Sequence, residues 1–387
     1  MIDTIILTLE SSMFTILEQK KFEPSAEYLY DQSRTLGGRG YVTCKQNTTK
    51  SDRLNGIYRP YLTLTRRYRD GRSVLMLKIQ LSLPKLMHGN NFDELSDSDY
   101  PKIEEKLRWQ LQAMGVRVWD MSNTLDNAMV SGIHFGKNII LTDGSMSKWY
   151  IDRAQQGNYS QRLDTNQTDY RNEGTSWKIH TSRYEVALYD KLADIRQYFS
   201  TKSDGRCIEN DNNCQMGLFD IIPKRSPFEV LRLEVRLNNR AHLKKVLGEL
   251  GYPQTATFRE MYSAELAQKV LLKYLDVLDV SRPALLNYTT PSDLDIFAEL
   301  RVQNPSLTIA KIIELFGFKK LADQFGLRAI RRIVGESKQA SWYKMMSEAC
   351  EVRLTRNLSP FATIRDQIIN YKPVRLAEYK EQMTGGI

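Results

Sequence analysis

The stretch Val230-Leu231-Arg232-Leu233-Glu234-Val235-Arg236-Leu237 alternates apolar and charged side chains along its length. Successive side chains of a strand point to opposite faces. The stretch therefore reads as a strand with Leu231, Leu233, Val235 and Leu237 on one face and Arg232, Glu234 and Arg236 on the other. The apolar face calls for a core beneath it. The charged face has two readings. One is an exposed Arg-Glu-Arg ladder, worth about 0.2–1 kcal/mol per cross-strand pair. The other is a carboxylate for a divalent metal, flanked by guanidinium groups that hold phosphates.

Working outward, Tyr58 to Leu83 reads as a hairpin. Tyr61, Thr63 and Thr65 alternate up to Asp70-Gly71, a favoured tight-turn pair, and Leu75, Leu77, Ile79 and Leu81 form an apolar face on the return. Pro101 to Met114 has the spacing of an amphipathic helix, with Ile103, Leu107, Leu111 and Met114 on one side. Met129 to Leu141 is β-like, Arg183 to Phe199 reads as helical, and Ala241 to Leu250 is a helix closed by Gly251. A polar run rich in Asn, Asp and Gly at about 200–220 reads as a mobile loop within this first unit. The expected fold class is α+β, a central antiparallel sheet flanked by helices over residues 1–290.

After Pro291 the pattern becomes helical: Pro291 to Gln303, Thr308 to Phe316, Lys319 to Phe325, Arg328 to Val334 and Ala340 to Ala349, with breaks at Asn304-Pro305, Gly317, Gly326 and Gly335. Residues 291–387 are thus expected to form a small basic all-helical domain, helix-turn-helix-like or a plain bundle. The chain carries 55 Lys+Arg against 46 Asp+Glu, a net +9. Residues 301–387 hold 15 of those cations and 8 of the acids, so most of the excess lies there. That polarity favours a polyanionic partner. No apolar run approaches a membrane span, and Met1 to Leu9, with Asp3 in place of a basic start, reads as a first strand and not as a secretory signal. The expectation is a cytoplasmic protein with no membrane partner. Cys44, Cys207, Cys214 and Cys350 lack paired C-x-x-C spacing, and only Cys207 and Cys214 are close enough to suggest a clip, so a zinc or disulfide role is the lesser reading.

Three further segments bear on chemistry. Val186-Ala187-Leu188-Tyr189-Asp190-Lys191 puts a tyrosine and a lysine two residues apart near the start of the expected helix. A tyrosine attacking a phosphodiester needs a cation to favour phenolate and neutralise the phosphate, and Lys191 is in reach. The bland alternative is a half-buried Tyr and a solvated Lys. In Gly132-Ile133-His134-Phe135-Gly136 the glycines leave room for a ligand beside His134, although a single strand histidine is more often structural and is a poor metal site alone. Ser82 to Asn91 joins a strand end to a Gly- and Asn-containing loop that either binds a phosphate or simply turns.

In order and spacing these pieces resemble the gene II / gene X type replication proteins of filamentous phages and related plasmids. The likeness rests on Met1-Ile2-Asp3, Ser82-x-x-Lys85-x-x-x-Gly89-x-Asn91, Ala187-x-Tyr189 with Lys191, and Arg232-x-Glu234-x-Arg236. It extends to Phe316-Gly317-Phe318 and Ser341-Trp342-Tyr343. The resemblance implies a nuclease domain related to the HUH endonucleases, although the His-hydrophobic-His pair of many tyrosine nickases is absent. It implies rolling-circle initiation at a phage or plasmid origin: metal-dependent nicking of one strand, a 5′-phosphotyrosine, a free 3′-OH and later rejoining.

Carried over by position, Tyr189 is the nucleophile with Lys191 beside it. His134, standing where the filamentous-phage protein has a carboxylate, and Glu234 would hold Mg²⁺ or Mn²⁺. Lys85, Arg232, Arg236, the hairpin-end Arg66, Arg67 and Arg69, and Arg331 and Arg332 would contact origin DNA, as duplex and as exposed single strand. No Walker-type loop is present, so a host helicase, single-strand binding protein and polymerase are the expected partners. The rival readings are a non-enzymatic origin-binding initiator or repressor, and a relaxase-type mobilisation protein. Tyr184, five residues from Tyr189, falls on another side of a helix, which favours a single-tyrosine mechanism.

Overall fold

A computed structural model describes residues 1–29, 41–49, 51–52, 55–69, 72–157, 159, 168–171, 174–200, 228–280, 283–287, 292–335, 339–355, 359–375 and 378. The polar run at 200–220, the Asp70-Gly71 turn, Cys207 and Cys214 lie outside the described residues, apart from Ser200 at the end of a helix. The architecture is mixed α+β with a large antiparallel sheet and many helices. Among the described residues no helix is long and apolar enough to cross a membrane.

The strands in chain order are β1 (Ile2–Glu10), β2 (Phe14–Ile16), β3 (Tyr41–Gln46), β4 (Tyr61–Arg69), β5 (Arg72–Ser82), β6 (Val116–Val118), β7 (Met129–Leu141), β8 (Thr168–Arg171), β9 (Ser176–His180), β10 (Glu185–Asp190) and β11 (Glu229–Leu237). Nine of them form one sheet in the order β3-β4-β5-β1-β7-β11-β10-β9-β8, while β2 and β6 make a small ribbon. Every pairing is antiparallel. The anticipated hairpin is β4-β5, with Tyr61 opposite Gln80 and Leu64 opposite Leu77.

Alternation decides which side is covered. Ile5, Leu7 and Leu9 of β1, Leu77 and Ile79 of β5, Ile133 and Phe135 of β7, and Leu231, Leu233, Val235 and Leu237 of β11 are fully buried in one core. Ile103, Leu107 and Leu111 of the helix Tyr100–Ala113 and Leu266, Val270 and Leu271 of the helix Ala264–Val280 join that core. Burying one such side chain contributes about 1.5–3 kcal/mol. Leu285, Leu300, Ile312, Leu315, Phe318 and Trp342 build a separate cluster from the helices beyond residue 283. Residues 361–375, expected with those helices, instead return to the sheet. Phe361, Ile364 and Ile368 enter the large core, and the Gln367 amide pairs with the backbone N–H and carbonyl of Ile140.

Two expectations about elements fail. Residues 185–190 form a strand, and the helix starts only at Lys191. The apolar Val186 and Leu188 fit either period, and partners on both sides, β9 and β11, decide for the strand. Ile309–Phe325 is one helix through Gly317, because a glycine lowers helix stability by only about 1 kcal/mol and the buried Ile312, Leu315, Phe318 and Ala322 carry the packing across it.

A buried charged network ties the chain's end to the sheet. Glu94 accepts from Lys137 Nζ (2.7 Å), the Asn138 N–H (2.5 Å) and the Val374 N–H (3.0 Å), while Lys137 also donates to the Lys372 carbonyl (2.7 Å). Burial would raise the Glu94 carboxyl, but the Lys137 ammonium, the N-terminal ammonium of Met1 and the hydrogen bonds from Lys137 and Asn138 together outweigh it and the carboxyl stays low. Removing one partner of a buried pair leaves an uncompensated charge. Glu94→Ala is therefore expected to cost about 3–5 kcal/mol in urea unfolding. A loss below about 1 kcal/mol, the range of exposed pairs, would contradict the assignment.

Candidate active site

The charged face of the sheet bears a polar cleft of about 650 Å³, lined among others by Asp3, His134, Glu185, Tyr189, Glu234 and Arg236. Tyr189 stands near the end of β10 opposite Arg232 of β11, and Glu234 lies opposite Ala187 on one side and Gly136 on the other. This register puts the charged face of β11 between the tyrosine and the histidine strands. The Arg-Glu-Arg run is thus no exposed ladder: Arg232 and Glu234 are fully buried, with side-chain exposures of 3% and 2%.

Glu234 is the hub. Its Oε2 accepts from the Tyr189 hydroxyl at 3.0 Å and from Arg236 Nη2 at 3.3 Å, and its Oε1 accepts from Arg236 Nε at 2.8 Å. His134 Nδ1 lies 3.6 Å from Oε1, and His134 Nε2 is 2.9 Å from Asn238 Oδ1. Arg236 also donates to Glu185 (2.8 Å). Arg232 donates to Asn138 Oδ1 (2.9 Å) and lies 3.5 Å from Asp3 Oδ1 and 3.9 Å from Glu234. Asp3 reaches the cleft through a register irregularity between Ile2 and Thr4 where β1 meets β7, a device that re-aims side chains near functional sites.

The electrostatics follow from this packing. Burial would raise the Glu234 carboxyl, but Arg236 and then Arg232 outweigh it and hold it well below the usual carboxylate range. Burial, reinforced by the negative Glu234, pushes the Tyr189 phenol well above its ordinary value. At neutral pH the pair is phenol and carboxylate, with the proton on the tyrosine. Burial pulls the Lys191 ammonium down, against the pull of Asp194 3.3 Å away. Its Nζ lies 5.6 Å from the centre of the Tyr189 ring, over the ring.

The sequence-predicted residues divide accordingly. Tyr189, His134, Glu234 and Arg236 line the cleft, with Arg232 and Lys191 buried beside them. Lys85 is buried, close enough for its charge to be felt at Lys191. Arg66 is buried at the hairpin, far along the sheet from Tyr189, and the side chains of Arg67 and Arg69 lie outside the described residues. Arg331 donates to the Tyr159 carbonyl (3.1 Å), and Arg332 is exposed. Tyr184 is turned away from the cleft: its ring stacks on His242 at 5.3 Å and meets Tyr274 at 5.0 Å.

Sequence reading missed Asp3, Glu185, Asp194 and Asn138, whose roles depend on register and a bulge. It also misread Gly136. A Cβ there would stand 2.7 Å from Arg232 Nη2 and 3.0 Å from its Cζ, so the missing side chain makes room for a guanidinium and not for a ligand. Gly136→Ala is expected to break the Arg232–Asn138 bond. The predicted cost is about 1–3 kcal/mol in thermal or urea unfolding, and an unchanged unfolding midpoint would contradict it.

Compared with protein-family models, with curated proteins and with solved structures, the chain gives no match.

Proposed function

We propose that this chain is a DNA strand-transferase of rolling-circle type, with an HUH-like sheet and a basic helical C-terminal domain. Tyr189 would cut one strand of a phage or plasmid origin and keep the 5′ end. The observation that carries the reading is the Tyr189 hydroxyl hydrogen-bonded at 3.0 Å to the buried Glu234 carboxylate in an open polar cleft with Arg236 alongside. A nucleophile in contact with a base that is itself oriented by further groups is the pattern of nucleophilic catalysis. A purely DNA-binding initiator gives that arrangement no task.

In this mechanism the phosphate enters between Arg236 and His134. Arg236, shared in the resting arrangement between Glu234 and Glu185, has donors to offer an anionic phosphate. As the phosphate draws the guanidinium away, Glu234 loses part of what holds its carboxyl low and becomes a better base. The Tyr189 oxygen then bonds to phosphorus as its proton passes to Glu234, and the bond from phosphorus to the 3′ oxygen breaks, that oxygen taking a proton from solvent in the open cleft while Glu234 returns its own to solvent. The phosphodiester energy is kept in the tyrosyl linkage, so rejoining is the reverse step.

A divalent cation would find four carboxylates in the lining (Asp3, Glu185, Asp194, Glu234) beside the cations Arg59, Lys178 and Arg236, with Arg232 and Lys191 buried behind them. Asp3 Oδ1 is also buried without a hydrogen-bond partner. Among the described residues no group of three or more His, Cys, Asp or Glu is placed to hold a metal. Mg²⁺ is commonly held by one or two protein groups together with substrate phosphates, and His134 and Glu234 would be those groups here. Bound, Mg²⁺ or Mn²⁺ supplies Lewis-acid polarisation of the phosphoryl oxygen.

The test uses the full chain, a supercoiled origin-bearing plasmid and single-stranded oligonucleotides, with Mg²⁺, with Mn²⁺ and with chelator. The expected result is nicked circle and a denaturation-resistant protein-DNA adduct that need the cation. DNA binding with no adduct under any condition would leave the non-enzymatic initiator instead.

A further inference from the structure

The cleft extends past β1 to a second polar end, formed by β4, β5 and the segment after β5. The Ser82 to Asn91 motif lies here, and the chemistry above does not use it. Ser82 is at the N-cap of the helix Leu83–His88, where a serine hydroxyl ordinarily accepts from the first turn, yet it makes no such bond. Its Oγ has no hydrogen-bond partner although the residue is only 7% exposed, and Asn91 Oδ1 is likewise buried without one. Both residues line the cleft. A buried polar atom without a partner costs about 1–3 kcal/mol, so two at one place call for an explanation.

Around them the groups are held in position. The Tyr58 hydroxyl accepts from the Ser82 N–H at 2.6 Å, which fixes that ring at the wall. Tyr61 and Gln80 are cross-strand partners and both line the cleft. Arg59 is bound by Asp52 (Nε to Oδ1, 3.2 Å) and Gln110 (Nη1 to Oε1, 2.6 Å), so its charge is already committed. Among the described lining residues this end therefore offers aromatic rings, amides and unsatisfied oxygens, and its one cation, Arg59, is already paired. That combination suits a flat, uncharged, hydrogen-bonding group.

We infer that this end of the cleft is a pocket for one unstacked nucleobase bearing an exocyclic amine, stacked against Tyr58 or Tyr61 and donating to Asn91 Oδ1 and Ser82 Oγ. Adenine and cytosine supply that amine, as does guanine through its 2-amino group, whereas thymine presents carbonyls at both exocyclic positions. The inference rests on the strand-transfer reading and names what it would recognise. From β5 to β10 is four strand spacings, about 19 Å at ~4.8 Å each, so the base read here lies several nucleotides from the phosphate cut at Tyr189.

The test measures the affinity of the non-cleaving Tyr189→Phe protein for fluorescein-labelled homopolymers of about twelve nucleotides, dA, dC and dT, by anisotropy. The expected result is at least about tenfold tighter binding of dA or dC than of dT. Ser82→Ala combined with Asn91→Leu should bring that ratio to about two or less with dT binding unchanged. Ser82→Ala alone, the milder change, should lower the ratio about threefold and guards against a double variant that does not fold. A ratio near one in the parent, or one retained in folded variants, overturns the pocket. If the ratio fails while the unsubstituted chain, with Tyr189 in place, still forms its tyrosyl adduct, only the pocket falls. If no oligonucleotide binds, the pocket and the strand-transfer reading fall together.

Discussion

Replacing Tyr189 by phenylalanine is expected to abolish adduct formation and nicking, by at least about a thousandfold, because no other oxygen nucleophile is hydrogen-bonded to Glu234 among the described residues. Folding should survive the change. The substitution removes one hydroxyl and one hydrogen bond, worth about 1 kcal/mol, and Arg236 remains as partner to both Glu234 oxygens. The decisive comparison is therefore adduct yield against thermal midpoint in the same preparation. A Tyr189→Phe protein that still nicks with parental yield sinks the nucleophile assignment, and Tyr184, engaged with His242 and Tyr274 away from the cleft, offers no ready substitute.

Glu234→Gln should be inactive and also distinctly less stable. The amide keeps the shape but not the charge, which leaves the buried Arg232 and the half-buried Arg236 without their central anion. Breaking a buried pair in this way costs about 3–5 kcal/mol. The pH dependence has a definite sign. The Glu234 carboxyl is held below its ordinary value, so its stabilisation is present in full above the unfolded value of about 4.3 and is lost as pH falls through the lower folded one. Urea unfolding of parent and variant should then show a gap that is full at neutral pH and narrows under acid conditions. A gap that does not change with pH would mean that Glu234 acts through packing and not through charge.

The sheet was legible in the sequence wherever alternation was strict. The strand around Leu231–Leu237 and the β4-β5 hairpin follow directly from period-two patterning. Alternation fails as a guide where a short apolar run fits two periods, and Val186 to Tyr189 becomes a strand only because neighbours on both sides accept it. The charged face of β11 could be read as a line of charges but not as a buried hub, since that depends on which strands flank it. Asp3 and Glu185 reach Glu234 and its arginines across three different strands, and no spacing in the chain encodes such a meeting. Gly136 shows the same limit. Its glycine was visible, but the guanidinium filling the space comes from a residue 96 positions later.

The central claim is that the Tyr189 oxygen becomes the bond between protein and DNA. Mass spectrometry of the adduct after nuclease and protease digestion tests it most directly. The account predicts a nucleotide mass on the peptide containing Tyr189, carried by the tyrosine itself. A nucleotide found on any other residue, with Tyr189 unmodified, would contradict it.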